Sequence, residues 1–259
     1  MFKKTAGRNS WRGTVSLSIY SKQELSRRHE RVQNLMCKEK LDALFITNEE
    51  NFTYFVGTSG TIGLHGSNSR PAIAVVPSEG RPICIVPRTI ARLIRDLVKE
   101  AKEYAGIFSV PTDILVDGLK EAGLKHRRVG IEAGLEQRLG MPYAEFVNLT
   151  KSLPDVEFVD AAPLIWRMRM IKSEEELKYL KQSADITGRA RQKCFDQVRE
   201  GMTTRDIARL FSKLMLEEGA DRPGFIHIAT TPPRIVIQMW PEKRINKGDT
   251  IYICLLYTS

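Results

Sequence analysis

Four histidines and four cysteines are the side chains of this sequence most capable of nucleophilic, acid–base or metal chemistry. The cysteines stand far apart in the chain and include no C-x-x-C pair, so neither a zinc knuckle nor a redox pair is predicted. They are Cys37, Cys84, Cys194 and Cys254. His29 and His126 lie in charged segments typical of solvated surface, whereas His227 lies in an apolar run that predicts a buried histidine with hydrogen-bonded nitrogens. Residue type and spacing therefore assign no catalytic residue and no metal ligand.

A glycine-containing loop at residues 57–70 holds the remaining histidine, His65, and ends at Arg70. It contains neither G-x-G-x-x-G nor G-x-x-x-x-G-K, so no nucleotide site is predicted. Loops carry binding residues more often than regular elements do, but one histidine and one arginine do not make a catalytic set. From the residues alone, a plain connecting loop and a ligand-contacting loop both remain open.

Helical and strand patterns alternate over residues 21–160. Ser21 and Glu24 predict a capping box at the start of a helix that extends to about Lys40. Strands are predicted at residues 43–47, 52–56, 72–76, 83–86, 128–132 and 156–159. Further helices are predicted at residues 90–98, 112–122 and 143–152. This alternation predicts one α/β domain with a mixed sheet flanked by helices.

The sequence changes character after Pro163. A long connecting helix is predicted there, with a capping box at Ser173 and Glu176, and a second helix follows a cap at Thr203 and Asp206. Strands are predicted at residues 225–229, 235–239 and 250–257. Three strands are too few to cover both helices, so this part is predicted to be the incomplete start of an α+β domain.

Composition and charge exclude several classes of protein. With 42% hydrophobic and 27% charged residues, the chain is neither disordered nor a disulfide scaffold, and no apolar run approaches the roughly 18 residues of a membrane-spanning helix. The net charge of +9 is interleaved with acidic residues, so neither nucleic acid nor a membrane is an expected partner. The scattered cysteines favour a cytoplasmic location. Residues 1–22 are basic and are interpreted as a flexible tail, with an organelle-targeting segment as the alternative.

Four phrases follow one another along the chain. They are RRHERVQNLMCKEKLDALFITNEENFTYFVG from Arg27, RPAIAVVPSEGRPICIVP from Arg70, RVGIEAG from Arg128 and the R-x-I-K-S phrase from Arg169. Together they resemble the creatinase, prolidase and Xaa-Pro aminopeptidase family. The resemblance implies a creatinase-type amino-terminal domain at residues 23–165 and the start of a truncated pita-bread catalytic domain at residues 166–253. Residues 254–259 match no family phrase and are interpreted as a non-native tail.

The resemblance implies the chemistry of the family, which is hydrolysis with two divalent ions held by two Asp, one His and two Glu. Creatinase is an exception, because it cleaves a C–N bond without metal. Cys254 stands where the family has its first Asp ligand, and residues 237–240 lack the family histidine. The resemblance therefore implies no metal and no cofactor in this chain, which is expected to be an inactive amino-terminal fragment. Two divalent ions, manganese, cobalt or zinc, are expected in its full-length parent.

The resemblance also implies a role for the loop at residues 57–70. His65 and Arg70 are its substrate-binding residues, for the carboxylate of a proline-containing peptide or small amide. The parent is expected to be a homodimeric Xaa-Pro peptidase whose first domain shapes substrate access and dimer contacts. Two alternatives remain, a non-catalytic creatinase-like binding module related to histone chaperones and a creatinase-like amidinohydrolase.

Overall fold

The computed structural model describes residues 18–58, 70–106, 109–230 and 243–256. These residues fall into two compact units, which divide between Ile171 and Lys172. The domain limits expected from the sequence, with residues 23–165 as the first folded domain, stay a prediction. No helix in the described ranges is long and apolar enough to cross a membrane.

The first unit is built from strands and helices that alternate along the chain. Its described strands are β1 (Ala43–Ile46), β2 (Ile73–Pro77), β3 (Ile83–Pro87), β4 (Glu100–Tyr104), β5 (Arg128–Ile131) and β6 (Glu157–Asp160). Its described helices are α1 (Lys22–Glu39), α2 (Glu49–Val56), α3 (Arg88–Ile94), α4 (Thr112–Ala122), α5 (Tyr143–Ser152) and α6 (Ala162–Arg169).

The six described strands form one sheet in the order β4-β3-β2-β1-β5-β6. The β1–β2 and β2–β3 pairs are antiparallel, whereas the β3–β4, β1–β5 and β5–β6 pairs are parallel. The predicted mixed sheet is therefore confirmed. Because β1 and β5 are parallel neighbours, the residues that follow them meet at the same edge of the sheet.

Apolar cores cover both faces of this sheet. Leu44 and Ile46 of β1 face the core that contains side chains of α1, α2, α3 and α6. Ala43 and Phe45 face the opposite core, which contains side chains of α4 and α5. Burial on both faces explains why the inner strands are continuous apolar runs rather than alternating ones.

One predicted strand is wrong, because residues 52–56 belong to helix α2. Asn48 caps this helix by accepting a hydrogen bond from the backbone N–H of Glu50 at 2.9 Å, and Gly57 ends it with φ +92°. These end signals outweigh the β propensity of the aromatic residues between them. The prediction also extended α3 beyond Ile94 and omitted the charged edge strand β4.

The second unit contains α7 (Glu174–Gln197), α8 (Thr204–Glu217), β7 (Phe225–Thr230) and β8 (Ile251–Leu256). The capping box predicted at Ser173 and Glu176 is present, and the cap predicted at Thr203 and Asp206 is a full capping box as well. The long helix predicted to begin at the Ser173 cap is present as α7, whereas the short helix α6 before it was not predicted. The predicted strand at residues 235–239 lies outside the described residues.

Candidate functional site

The β7–β8 ladder of the second unit has one apolar face and one face with polar groups. Side chains alternate between the two faces of a strand. Those that pack against the core of α7 and α8 are Ile226, Ile228, Ile251 and Leu255. The opposite face of the ladder carries His227 on β7 and Tyr252 and Cys254 on β8. The polar side chains capable of chemistry therefore share one surface of the ladder.

His227 is buried, with 5% of its surface exposed, as the apolar run predicted. The prediction that its nitrogens are hydrogen-bonded is wrong, because neither Nδ1 nor Nε2 has a hydrogen-bond partner among the residues that the structure describes. Its ring lies parallel to the ring of Phe225, with centroids 6.5 Å apart. Apolar sequence neighbours determine burial but not whether a hydrogen-bond partner lies across the sheet.

Cys254 lies directly opposite His227 in the antiparallel register. The thiol side chain is half-buried, and Tyr252, two residues before it, is half exposed. A hydrogen bond with the Cys254 side chain raises the pKa of Tyr252 above its ordinary value. An imidazole, a thiol and a phenol are thus brought to one face of two strands.

A centre of two divalent ions needs several carboxylate and histidine ligands that converge on one point. In the described ranges, no three His, Cys, Asp or Glu side chains are placed to hold a metal ion. His227 and Cys254 offer an imidazole and a thiol rather than carboxylates. The described residues therefore do not fit such a centre.

A second polar cluster lies in the first unit, where β1 and β5 end side by side. Glu132, which follows β5, is fully buried. Its Oε2 atom accepts hydrogen bonds from the Thr47 backbone N–H at 2.6 Å, the Thr47 hydroxyl at 2.9 Å and the Asn48 backbone N–H at 2.8 Å. Its Oε1 atom accepts from Asn51 Nδ2 at 2.6 Å. Every one of these donors comes from the segment that begins helix α2 or just precedes it.

Burial raises the pKa of Glu132, and the hydrogen bonds from Asn51, Thr47 and Asn48 partly oppose that rise. The network continues outward, because Arg169 donates to Asn51 Oδ1 at 2.7 Å. Sequence reasoning missed this cluster. Polar residues directly after β1 and β5, two parallel neighbours, were the available signal. With all its donors supplied from within the chain, the cluster fixes loop geometry rather than binding a ligand.

The two residues predicted to bind substrate are only partly described. His65 lies in residues 59–69, outside the described ranges. Arg70 is half-buried just before β2 and has φ +54°, a conformation that non-glycine residues rarely adopt. Nearby, the Tyr104 hydroxyl donates to the Pro71 carbonyl at 2.7 Å. Burial raises the pKa of Tyr104 above its ordinary value, and the positive charge of Arg70 partly opposes that rise.

The sequence matches two family models in succession. The model of the creatinase/prolidase N-terminal domain matches residues 28–171, more than half of the chain. The chain belongs to the creatinase/prolidase family. A model of metallopeptidase family M24 then matches residues 178–257. The resemblance that the sequence phrases indicated is confirmed.

Two curated relatives of this creatinase/prolidase family chain are Xaa-Pro dipeptidases. A Xaa-Pro dipeptidase of Pyrococcus horikoshii is 27% identical over 229 residues, which are 87% of this chain and 58% of the relative. A Xaa-Pro dipeptidase of Pyrococcus furiosus is 24% identical over 233 residues, 89% of this chain and 60% of the relative. The chain thus spans less than two thirds of the length of either relative.

Solved structures confirm the fold of this creatinase/prolidase family chain. The prolidase of Thermococcus sibiricus matches with a TM-score of 0.74 at 22% identity, covering 90% of this chain and 61% of that one. The prolidase of Pyrococcus horikoshii matches with a TM-score of 0.69 at 24% identity, covering 88% and 60%. The chain has the fold of these prolidases over the matched residues.

Proposed function

We propose that this chain is the amino-terminal part of a Xaa-Pro peptidase-like metallohydrolase of the cytoplasm. The observation that carries the proposal is the similarity to the Xaa-Pro dipeptidase of Pyrococcus horikoshii over 87% of this chain. The order of the two family matches supports it as well. The parent acts on proline-containing peptides and forms a homodimer.

The proposal gives the two parts of the parent different roles. The first unit shapes substrate access and dimer contacts. The parent holds two divalent ions, manganese, cobalt or zinc, and these ions supply an activated water and polarise the substrate carbonyl. Their ligands come from residues other than those described, since no suitable cluster is found there. This chain alone is therefore inactive.

Hydrolysis assays with the parent and with this chain test the proposal. Both proteins are purified and incubated with a Xaa-Pro dipeptide and with Mn²⁺, Co²⁺ or Zn²⁺. We expect metal-dependent cleavage by the parent and none by the chain. The proposal is wrong if the metal-loaded parent leaves proline-containing peptides intact, or if the chain alone cleaves them after contaminant controls. Creatine turnover by the parent would support the amidinohydrolase instead.

Arg70 is the described residue that we assign to substrate binding, together with His65. A fixed guanidinium binds a substrate carboxylate by charge-assisted hydrogen bonds. In the parent, Arg70→Ala should lower kcat/KM by about tenfold to a hundredfold, mainly through KM. Arg70→Lys should recover part of the loss, because it keeps the charge.

Arg88→Ala is the matched control, because the side chain of Arg88 is 78% exposed and its partner Glu103 is 3.4 Å away. We expect this control to leave both kinetic constants unchanged. Steady-state kinetics of the three variants, with thermal unfolding to verify their fold, make the comparison. Unchanged kcat and KM in Arg70→Ala would remove Arg70 from the substrate site.

A further inference from the structure

A buried hydrogen bond fixes the backbone next to Arg70. The Tyr104 hydroxyl donates to the carbonyl oxygen of Pro71 at 2.7 Å. Tyr104 is the last residue of β4 and Pro71 just precedes β2, so the bond links two segments on either side of β3. Only 3% of Tyr104 is exposed, and its side chain packs in the core that contains side chains of α4 and α5. Because close packing leaves this ring few other positions, the Tyr104 hydroxyl fixes where the Pro71 carbonyl lies.

Arg70 needs such a constraint, because its own backbone is strained. Its φ of +54° lies in the left-handed region, which costs a non-glycine residue free energy. The next residue is Pro71, whose ring fixes its own φ and restricts the residue before it. Strained residues persist only where the surrounding structure holds them, and they cluster at ligand-binding positions. The Pro71 ring and the Tyr104 hydrogen bond are two constraints that hold the Arg70 backbone.

The charges around Tyr104 keep its hydroxyl a donor. Burial raises the pKa of Tyr104 above its ordinary value, and the negative charge of Glu145 raises it further, whereas the positive charge of Arg70 opposes the rise. The phenol is therefore protonated at neutral pH and can donate to Pro71. The effect of Arg70 also shows that the guanidinium charge acts on the Tyr104 hydroxyl.

We propose that Tyr104 is a positioning residue that holds the Arg70 guanidinium where it meets the substrate carboxylate. The proposal rests on the proposed assignment of Arg70 to substrate binding. Tyr104 acts through Arg70 and not on the substrate, because its ring is buried and its hydroxyl is bonded to Pro71. Loss of the hydroxyl lets the Arg70 backbone relax. Substrate affinity then falls, while the hydrolysis step, which depends on metal ions held elsewhere, continues at its normal rate.

A double-mutant cycle in the parent tests this role. Tyr104→Phe removes only the hydroxyl and should raise KM for a Xaa-Pro dipeptide by about threefold to tenfold with kcat unchanged. In the Arg70→Ala background, the same substitution should change KM by less than about twofold, because no guanidinium is left to position. Tyr143→Phe is the matched control, since Tyr143 is 75% exposed at the start of α5, and it should leave both constants unchanged. Thermal unfolding verifies that each variant is folded.

NMR spectroscopy provides a second measurement that does not depend on how Tyr104→Phe folds. An isotope label at Cζ of Tyr104 reports on the hydroxyl and its hydrogen bond. L-proline is the product that carries the substrate carboxylate, and its binding neutralises the charge that Arg70 exerts on the hydroxyl. We therefore expect L-proline to shift the Tyr104 resonance in the unsubstituted parent and to leave it in place in Arg70→Ala.

The proposal is overturned if folded Tyr104→Phe keeps the KM of the parent, or if it raises KM by the same factor with and without Arg70. The latter result would mean that Tyr104 has only a structural role. It is also overturned if L-proline leaves the Tyr104 resonance of the unsubstituted parent in place. Failure of the underlying assignment has a different signature, because Arg70→Ala itself would then keep both kinetic constants, which would also remove the role of Tyr104.

Discussion

Glu132 is the buried carboxylate on which the ends of two strands depend. Its two oxygens receive four hydrogen bonds from Thr47, Asn48 and Asn51. Thr47 in turn accepts a hydrogen bond from the backbone N–H of Gly140 at 2.9 Å. One side chain thus holds together the segments after β1 and after β5.

Glu132→Gln should destabilise the first unit by about 1–3 kcal/mol at neutral pH. The amide would place an NH₂ donor against either the Asn51 amide or the donors of Thr47 and Asn48. Asn51 cannot simply rotate, because its Oδ1 atom already accepts from Arg169. Urea unfolding measures the loss, and Glu79→Gln, in the exposed turn between β2 and β3, is the control with no expected change.

The pH dependence of the same variant follows from the raised pKa of Glu132. The folded state holds the proton more tightly than the unfolded chain, so this residue contributes stability at low pH and loses it as pH rises above about 4.5. Glutamine has no such titration. The stability difference between the parent chain and Glu132→Gln should therefore be larger at about pH 5 than at about pH 8. A difference that grows with rising pH would contradict the assignment.

Single residues show where prediction from sequence ends. The burial of His227 follows from its apolar neighbours, which are visible in the sequence. Its position opposite Cys254 depends on strand register, which pairs residues far apart in the chain. The role of Glu132 is hidden for a similar reason, because three of its four hydrogen bonds come from residues 47 and 48, at the end of another strand.

At the scale of elements, end signals were better guides than propensity. The helices α4 and α5 were predicted with their observed limits, Thr112–Ala122 and Tyr143–Ser152. Helix α2 was missed because its residues favour strands, although Asn48, Glu49 and Gly57 all provide helix-end signals. Strand β4 was missed because three of its five residues are charged, which is typical of a sheet edge and not of a strand core.

The end of α1 offers a stability test at this scale. Lys40 ends the helix with φ +53° and ψ +44°, and the next N–H, that of Leu41, donates to the Met36 carbonyl at 2.9 Å. Lys40→Gly should stabilise the first unit by about 0.5–1 kcal/mol, because glycine adopts this conformation without strain. Lys38 is also exposed but lies two residues earlier, inside the last turn of the helix. Lys38→Gly should therefore destabilise the first unit by about 1 kcal/mol. Chemical denaturation of both variants distinguishes a conformational effect from loss of a lysine charge.

At the scale of the whole molecule, helix α6 is part of the first unit. Met168 is fully buried in the core on one face of the sheet, and its carbonyl accepts a hydrogen bond from the Tyr54 hydroxyl at 3.1 Å. Arg31 also donates to the Arg167 carbonyl at 2.7 Å. A chain cut at residue 165, the limit expected from the sequence, would lose these contacts.

We expect residues 18–171 to fold and unfold cooperatively when produced alone. Residues 18–165 should be less stable by about 2–5 kcal/mol, as for removal of a buried methionine. Thermal and urea unfolding of the two segments give the comparison. Equal stability would mean that the contacts of α6 contribute nothing and that the earlier limit is the better one.

The order of strands in the sheet has a consequence for synthesis on the ribosome. Four strands, β1 to β4, are complete when residue 104 has been made, but the parallel partner of β1 is residues 128–131. At 5–20 residues per second, that edge of β1 stays open for on the order of seconds. Its sequence, Ala43–Ile46, is apolar throughout, so the nascent chain exposes an unpaired, aggregation-prone edge until β5 emerges. Protection of the newborn chain is therefore needed most between the completion of β4 and the arrival of β5.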